Sequence, residues 1–508
     1  MTEQHVEIEH KYDADPDFTV PDLSGLPGVA SAPMPQRHLL HATYFDTEDL
    51  RLARGGITLR RRRGGKDAGW HLKMPAAEGK VEVHAPLGRA QTPPAKLAGL
   101  VAAHSRGAPL RPVATVETER TATMLLDAEG RMLAEVADDA VTGRDLRDGG
   151  TAVELAPGAP AETRAGAGDT ARHWREIEVE LGDAGSPDLL KAAGKRLKKA
   201  GATRSGAASK LARVLHAERD TARADAAARA GTAGEVVIAY IAARTEVLVG
   251  QDPRARQAGP DAVHQMRTSA RRIRSALQNY KPLFDAERIK PVIGELKWLG
   301  EVLAEVRDLE VLRERFAGRL ALLGDLAEPA WLAGVPHQER AAYRRLNKAL
   351  SEPRYFALLD ALDALVADPP FQGKAAGRKP AKELPGLIQK SWWRMERKYA
   401  AITGAEDGDV ARHEARKAAK RARYAAELAR PALGDAAKAA AKDAKRIQRV
   451  LGDHQDAVVA MERLRAAPAR TPAEAFTLGV LYGAEHHEAE TTRRLLESAW
   501  AAISTPEF

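Results

Sequence analysis

The chain contains no cysteine. Disulfides, thiolate metal sites and cysteine nucleophiles are therefore excluded, and the composition fits a reducing cytoplasm. Aromatic residues make up only 5% of the chain. Stacking on bases needs aromatic platforms, so nucleic acid is a poor partner, and no nucleic-acid motif is present. No apolar run is long enough to span a bilayer, which argues against a membrane partner,. The polar, acidic start does not read as a signal peptide. What remains is substantial: 508 residues, 44% of them apolar, enough for two or three domains with real cores,. The net charge of +8 is unevenly placed. Residues 1–230 hold 33 Lys and Arg against 33 Asp and Glu, whereas residues 231–508 hold 45 against 37. A basic excess confined to the second part points to a polyanion there.

That second part contains a pattern written twice. Val263 to Leu277 and Arg412 to Ala426 both read His-x-x-Arg-x-x-x-(Lys/Arg)-Arg-x-Arg. Neither is interrupted by Gly or Pro, so both are expected to be helical. At about 100° per residue, His264, Arg267, Arg271 and Arg274 fall within an arc of roughly 80°. His413, Arg416, Lys420 and Arg423 do the same. Such a stripe repels itself and needs an anion, acidic partners or open water. One basic helix is ordinarily a solvated face. Solvation does not require the same spacing twice, and the duplication extends further. Leu296 to Leu309 follows the first copy and Ala444 to Ala457 the second, each carrying (Arg/Gln)-Asp near its end. The cations beside His264 and His413 oppose metal capture, so anion contact is the expected role. His454, in Gly-Asp-His-Gln-Asp, is open between a titrating group and a helix cap.

From about Gly231 onward the chain resembles the CHAD family, the conserved-histidine α-helical domains. The resemblance rests on both His-Arg helices and both helices that follow them. It implies two antiparallel helical bundles related by pseudo-symmetry, with inorganic polyphosphate bound along a basic surface formed by the two stripes.

The first part reads as strands. Val6 to Tyr12 alternates, placing Glu7, Glu9 and Lys11 on one face,. Strand-like runs follow at His41–Phe45, Ile57–Arg63, Trp70–Met74, Lys80–His84, Val113–Met124, Met132–Asp139 and Arg175–Leu181. Arg60 and Arg62 share one face of their strand, and Arg61 and Arg63 the other. Many short strands joined by turns indicate an antiparallel sheet or barrel. So many inward charges would be ruinous in a dry core, so the interior must be wet and functional. Clustered carboxylates favour a hard divalent cation, and clustered Arg and Lys favour phosphates. Lys191 to Leu215 reads as a basic helix, mostly a solvated face. Pro157 to Asp169 reads as a loop, His216 to Gly234 as an Ala-rich linker, and Gly373 to Gly386 as a separator within the helical part.

These residues resemble the CYTH family of triphosphate tunnel metalloenzymes. Glu7, Glu9 and Lys11 meet its Glu-x-Glu-x-Lys hallmark. Tyr44–Thr47, Leu59–Arg62, Leu72–Lys73, Arg120, Asp138, the Glu176/Glu178/Glu180 run and Ser209–Lys210 follow in family order. The resemblance implies phosphates on Lys11, Arg60, Arg62, Lys73, Arg120 and Lys210, and Mg²⁺ or Mn²⁺ on Glu7, Glu9 and two of the late glutamates. Glu178 and Glu180 are favoured, with Asp138 a weaker metal or positioning candidate. Glu7, Glu9 and Lys11 would be central to catalysis. The expected fold is α+β multidomain: an antiparallel β-tunnel over residues 1–216, a linker over 217–233, and an all-α duplicated bundle over 234–508. The halves of that bundle are expected at about 234–370 and 385–508. The expected activity is metal-dependent hydrolysis of a triphosphate, inorganic triphosphate first. Adenylate cyclase, nucleoside or thiamine triphosphatase, and a non-enzymatic polyphosphate binder are the alternatives. The expected location is cytoplasmic, with association with polyphosphate granules.

Overall fold

The computed structural model describes residues 4–76, 79–147, 171–217, 220–228, 231–324 and 326–508. The loop expected at Pro157–Asp169 lies outside them. The chain forms two compact units, Met1–Asp220 and Thr221–Phe508.

The first unit is a ten-stranded antiparallel sheet. Its strands are β1 (Gln4–Glu7), β2 (Glu9–Ala14), β3 (Gln36–Asp46), β4 (Thr58–Arg63), β5 (Gly69–Pro75), β6 (Lys80–Pro86), β7 (Arg111–Leu126), β8 (Met132–Asp145), β9 (Arg172–Leu181) and β10 (Thr203–Arg204). The order is β1-β6-β5-β4-β3-β7-β8-β9-β2-β10. The expected N-terminal strand is therefore two strands that break at Ile8. β1 pairs with β6, and β2 pairs with β9. Consecutive residues thus lie at opposite ends of the sheet, and the chain itself closes it into a tunnel.

The alternation is inverted relative to an ordinary small barrel. Charged positions face the lumen, and the apolar positions between them face outward under helices. Tyr12, Ile177, Val179 and Leu181 pack with Leu189, Leu190, Ala193 and Leu197 of helix α1 (Pro187–Lys199). A Cβ at Gly194 of α1 would lie 2.1 Å from the Tyr12 hydroxyl, so this close helix–strand contact requires glycine,. A second apolar layer joins Phe45, Leu59, Trp70, Leu72 and Val83 to Leu97 and Leu100. Burying each such side chain contributes about 1.5–3 kcal/mol, so the outer layers stabilise what a polar lumen cannot.

The basic helix expected over Lys191–Leu215 is interrupted. α1 stops at Lys199, Gly201 takes a φ of 112°, β10 follows, and a separate helix α2 spans Lys210–Leu215. Positive φ is accessible to glycine at little cost, which explains the turn.

The second unit is all helical. Its long helices are α3 (Ala233–Arg256), α4 (Ala262–Asn279), α5 (Ala286–Leu323), α6 (Val335–Ala349), α7 (Pro353–Ala367), α8 (Pro380–Ala400), α9 (Gly408–Ala466) and α10 (Pro472–Ala501). α9 is broken at Gly434, where φ is 58° and ψ −130°. Thr232 and Glu235 form a reciprocal capping box at the start of α3,. Part of the stretch read as a linker, Ala222–Ala228, is helical, and its Arg223 pairs with Asp363. Gly386, read as part of a separator, lies inside α8. Phe316, Leu332 and Val335 pack against Ala460, Leu464, Leu478 and Leu481, tying the early helices to the late ones. The fully buried Glu485 of α10 receives Arg315 and Arg319 of α5 across the same contact. Among the described residues, no helix is long and apolar enough to cross a membrane.

Candidate functional site

The tunnel encloses a cavity of about 350 Å³. Glu7, Glu9, Lys11, Arg60, Arg62, Lys73, Arg120, Glu178, Glu180 and Lys210 all line it. They come from six strands and from α2, so folding alone brings them together. Strand alternation supplies all of them except Lys210. Ser209 caps α2 by accepting from the Ala212 amide at 3.1 Å, which fixes Lys210 as the first helical residue,. Leu211, Val214 and Leu215 of α2 pack with Ala42, Tyr44 and Val116, which also line the cavity. The helix therefore enters one end of the lumen and delivers Lys210 there.

The charges divide into two groups. On one side Lys210 Nζ lies 2.9 Å from Asp139, 2.7 Å from Glu176 and 2.8 Å from Glu178. Arg120 makes a two-point contact with Asp139, at 2.8 and 2.7 Å, and reaches Glu178 at 2.7 Å. Lys11 bonds Glu178 and lies 2.9 Å from Glu9. Burial opposes the charge on Glu178, but Lys11, Lys210 and Arg120 hold its carboxyl well below the usual range,. Burial likewise opposes the charge of Lys210, yet Asp139, Glu178 and Glu176 hold its pKa well above normal.

On the other side Glu180 lies opposite Glu9 in the β2–β9 pairing. Burial, then the Glu7 and Glu9 carboxylates, push Glu180 up to about 8,. The Glu7 Oε2 atom is buried and has no hydrogen-bond partner, while its Oε1 receives Lys73. Crowded carboxylates with an orphaned oxygen fit a hard divalent cation, which would take oxygen ligands and relieve the repulsion. Asp139, Glu176 and Glu178 form a tighter group, with one oxygen of each within 4.8 Å of the others. Lys210 already occupies the centre of that group, so it fits a metal less well.

Arg60 and Arg62 form the cationic wall, while Arg61 and Arg63 do not line the cavity. Arg60 Nη1 lies 3.4 Å from the Tyr44 hydroxyl, and Arg62 pairs with Asp67. The Nε atoms of Arg60 and Arg62 are buried without acceptors. Burial and the neighbouring Arg60 and Arg120 push Arg62 down to about 9. An anion between these guanidinium groups would offset the cost.

Asp138 requires a correction. It points away from the cavity and pairs with Arg175 at 2.9 and 2.8 Å. The inward residue is its neighbour Asp139, which is fully buried. A one-residue difference in a strand reverses the face. Sequence reasoning also missed Lys80, which lies 3.1 Å from Glu9, and Glu82, bonded to His71 and His84. Their alternation within Lys80–His84 was the available signal. Asp46 of the Tyr-Phe-Asp-Thr motif is structural. Its buried carboxylate accepts from the Thr47, Leu52 and Ala53 amides.

In the helical unit the two stripes meet. α4 and α9 pack together: Tyr280 donates to the Ala425 carbonyl at 2.8 Å, and Asn279 to that of Arg421 at 3.0 Å. Every stripe residue is partly buried rather than freely solvated. The duplicated acids repeat one contact, with Arg267 on Asp308 at 3.7 Å and Arg416 on Asp456 at 3.2 Å. Burial, then Arg416 and Arg271, push Lys420 down to about 7. Arg267 is lowered by burial and by Arg271, Arg307 and Arg416. Cations from both copies thus share one electrostatic environment. Arg423 pairs with a carboxylate of its own helix, Glu427 at 2.6 Å. His413 bonds Gln455 at 3.0 Å. His454 is a buried link between Asp409 at 2.9 Å and the Ala489 carbonyl at 3.2 Å, a structural role. A further cavity of about 530 Å³ is lined by Lys281, Lys390, Arg394, Arg397 and Arg421, with no carboxylate residue in its lining. Of these only Arg421 belongs to the repeated motif; nothing in it marks Lys281, Lys390, Arg394 or Arg397.

Residues 6–215 match the CYTH domain and residues 239–465 the CHAD domain. Over 515 aligned residues the chain is 38% identical to the uncharacterised protein Rv2226 of Mycobacterium tuberculosis, covering 98% of this chain and 96% of that one. Among solved structures, PptA from Streptomyces chartreusis is 24% identical at a TM-score of 0.45, over 53% of this chain and 99% of that one. The CHAD domain from the plant Ricinus communis is 23% identical at a TM-score of 0.44, over 55% and 96%.

Proposed function

The chain belongs to the proteins that join a CYTH domain to a CHAD domain, and from that premise we propose that its tunnel hydrolyses inorganic triphosphate. The observation that carries this reading is the divided charge of one cavity, with crowded carboxylates beside under-bonded guanidinium groups. Arg60, Arg62, Lys73, Arg120, Lys210 and Lys11 bind the phosphate oxygens and offset charge that develops during transfer. Glu7, Glu9 and Glu180 would hold Mg²⁺ or Mn²⁺, which supplies charge neutralisation and Lewis acidity at the phosphates. Glu178 stands at the boundary, holding Lys11, Arg120 and Lys210 in register while remaining within reach of the acidic side. Asp139 and Glu176 position Arg120 and Lys210. Water attacks the terminal phosphorus, the bond to the bridging oxygen breaks, and its electron pair leaves on pyrophosphate. The products are orthophosphate and pyrophosphate.

The CHAD unit binds polyphosphate. The convergent stripes on α4 and α9 form the track, and the cationic cavity at Lys281, Lys390, Arg394, Arg397 and Arg421 extends it. Association with polyphosphate granules follows from this reading. Phosphate release from inorganic triphosphate, ATP and thiamine triphosphate, each with and without metal, tests the substrate assignment. Inorganic triphosphate should be turned over fastest, and only with metal. Faster turnover of ATP, or cyclic nucleotide as the main product, would overturn the assignment.

A further inference from the structure

A cluster at the edge of the cavity, of residues given no role in phosphate or Mg²⁺ binding above, has the composition of a transition-metal site. His71 on β5 and Glu82 and His84 on β6 bring three ligand atoms within 4.8 Å of one another. His71 and His84 are directly paired across the two strands. The His71 ring is 1% exposed, and the two imidazole centroids are 4.2 Å apart. His71 Nδ1 lies 2.9 Å from Glu82 Oε1, and His84 Nε2 lies 3.2 Å from the same oxygen.

The hydrogen count makes this arrangement unusual. The other His71 nitrogen, Nε2, is 2.9 Å from the Asp67 carbonyl oxygen. A carbonyl only accepts, so Nε2 carries the hydrogen. In a neutral ring Nδ1 is then a lone pair directed at a carboxylate oxygen. The contact requires a proton on one of the two atoms, from the ring or from the carboxyl group, or a cation between them.

We propose that His71 Nδ1, Glu82 Oε1 and His84 Nε2 form a binding site for a borderline divalent transition ion, Zn²⁺ being the best fit. With metal–ligand bonds of about 2.0–2.1 Å, the edge of a tetrahedral site is about 3.3 Å, close to both observed separations. Two imidazoles and one carboxylate favour Zn²⁺ over Mg²⁺. The Nε2–H bond to a backbone carbonyl is the usual device for orienting a ligating histidine. Nearby cations weaken the site without forbidding it. Lys73 bonds Glu7 but also lies 3.8 Å from Glu82 Oε2, while Arg62 pairs with Asp67 and the Arg60 head contacts Tyr44. Glu82 lines the cavity, so an open fourth position would face the phosphates. The site is distinct from the all-carboxylate group of Glu7, Glu9 and Glu180.

The test uses the full chain, stripped of metal and then saturated with Mg²⁺ to fill the carboxylate group. Co²⁺ is titrated in while visible d–d absorption is recorded. One equivalent of Co²⁺ should give the bands of a low-coordinate nitrogen–oxygen site, and Zn²⁺ should abolish them. His84→Gln alters a side chain that is 38% exposed, so the fold should survive, and it should weaken Co²⁺ binding at least tenfold,. His71→Asn should do the same, and Glu7→Gln should leave the bands intact. The proposal is overturned by an absence of saturable bands in the wild-type chain. Bands that persist in folded His84→Gln, or that vanish in Glu7→Gln, overturn it equally.

Discussion

Lys420 and the neighbouring pair Asp138 and Asp139 each support a sharp test. Lys420 is held near neutrality at about 7 by burial and by Arg416 and Arg271. A bound polyanion favours its charged form. Polyphosphate affinity should therefore be highest below pH 7 and fall as pH rises through that value, by roughly tenfold for one charged contact. Lys420→Arg keeps its charge throughout and should flatten the profile. Titrations at pH 6 and pH 9 check this, and an unchanged slope in Lys420→Arg would contradict it. Asp139 and Asp138 form the second test. Asp139→Asn removes the two-point hold on Arg120 and one of the three carboxylates on Lys210, and should lower turnover tenfold or more. Asp138→Asn breaks only the pair with Arg175, worth about 0–1 kcal/mol, and should leave turnover near wild type,. Steady-state rates distinguish the two. The sequence could not choose between these neighbours. Only the pairing of Asp139 with Glu176 and of Asp138 with Ile177 fixes which one faces inward.

At the scale of elements, strand alternation is readable where charged lumen positions alternate with apolar outer ones, as in Lys80–His84 and Arg175–Leu181,. Strand geometry puts Arg60 and Arg62 on the face opposite Arg61 and Arg63, and the resemblance to the CYTH family, rather than the alternation, implies that the first pair meets the phosphates. Their alanine variants should divide the same way. Arg60→Ala and Arg62→Ala should each cost at least tenfold in kcat/KM, with much smaller kinetic losses at Arg61 and Arg63. Equal losses at all four would mean the β4 register is wrong. The break at Ile8 was not readable, because Val6 to Tyr12 alternates without interruption and only the pairing of β1 with β6 and β2 with β9 reveals it. The division of Lys191–Leu215 was misread for a different reason. Its apolar and basic residues keep helical spacing on both sides of Gly201, whose positive φ makes the turn. The duplicated helices were legible from spacing. Their meeting on one surface depends on how α4 packs on α9, which no local pattern encodes.

For the whole molecule, the proposed function assigns one polyanion site to each of the two units, and the two should be separable. Replacing Arg267, Arg271, Arg416 and Lys420 by Ala or Gln should nearly abolish polyphosphate binding, while replacing one copy should only weaken it. The wild-type affinity should fall steeply between low and physiological salt, and the residual binding of the double-stripe variant should depend less on salt. Its triphosphatase rate should stay close to wild type, since a three-phosphate substrate needs only the tunnel. The central claim is that the tunnel is a metal-dependent triphosphatase whose acidic side holds the ion. The most direct measurement is orthophosphate release from inorganic triphosphate by the full chain and by Glu7→Gln, with Mg²⁺ or Mn²⁺ and after exhaustive chelation. The account predicts rapid metal-dependent release by the wild type and a loss of tenfold or more in Glu7→Gln. Wild-type turnover that survives chelation, or a folded Glu7→Gln chain with full activity, would contradict it.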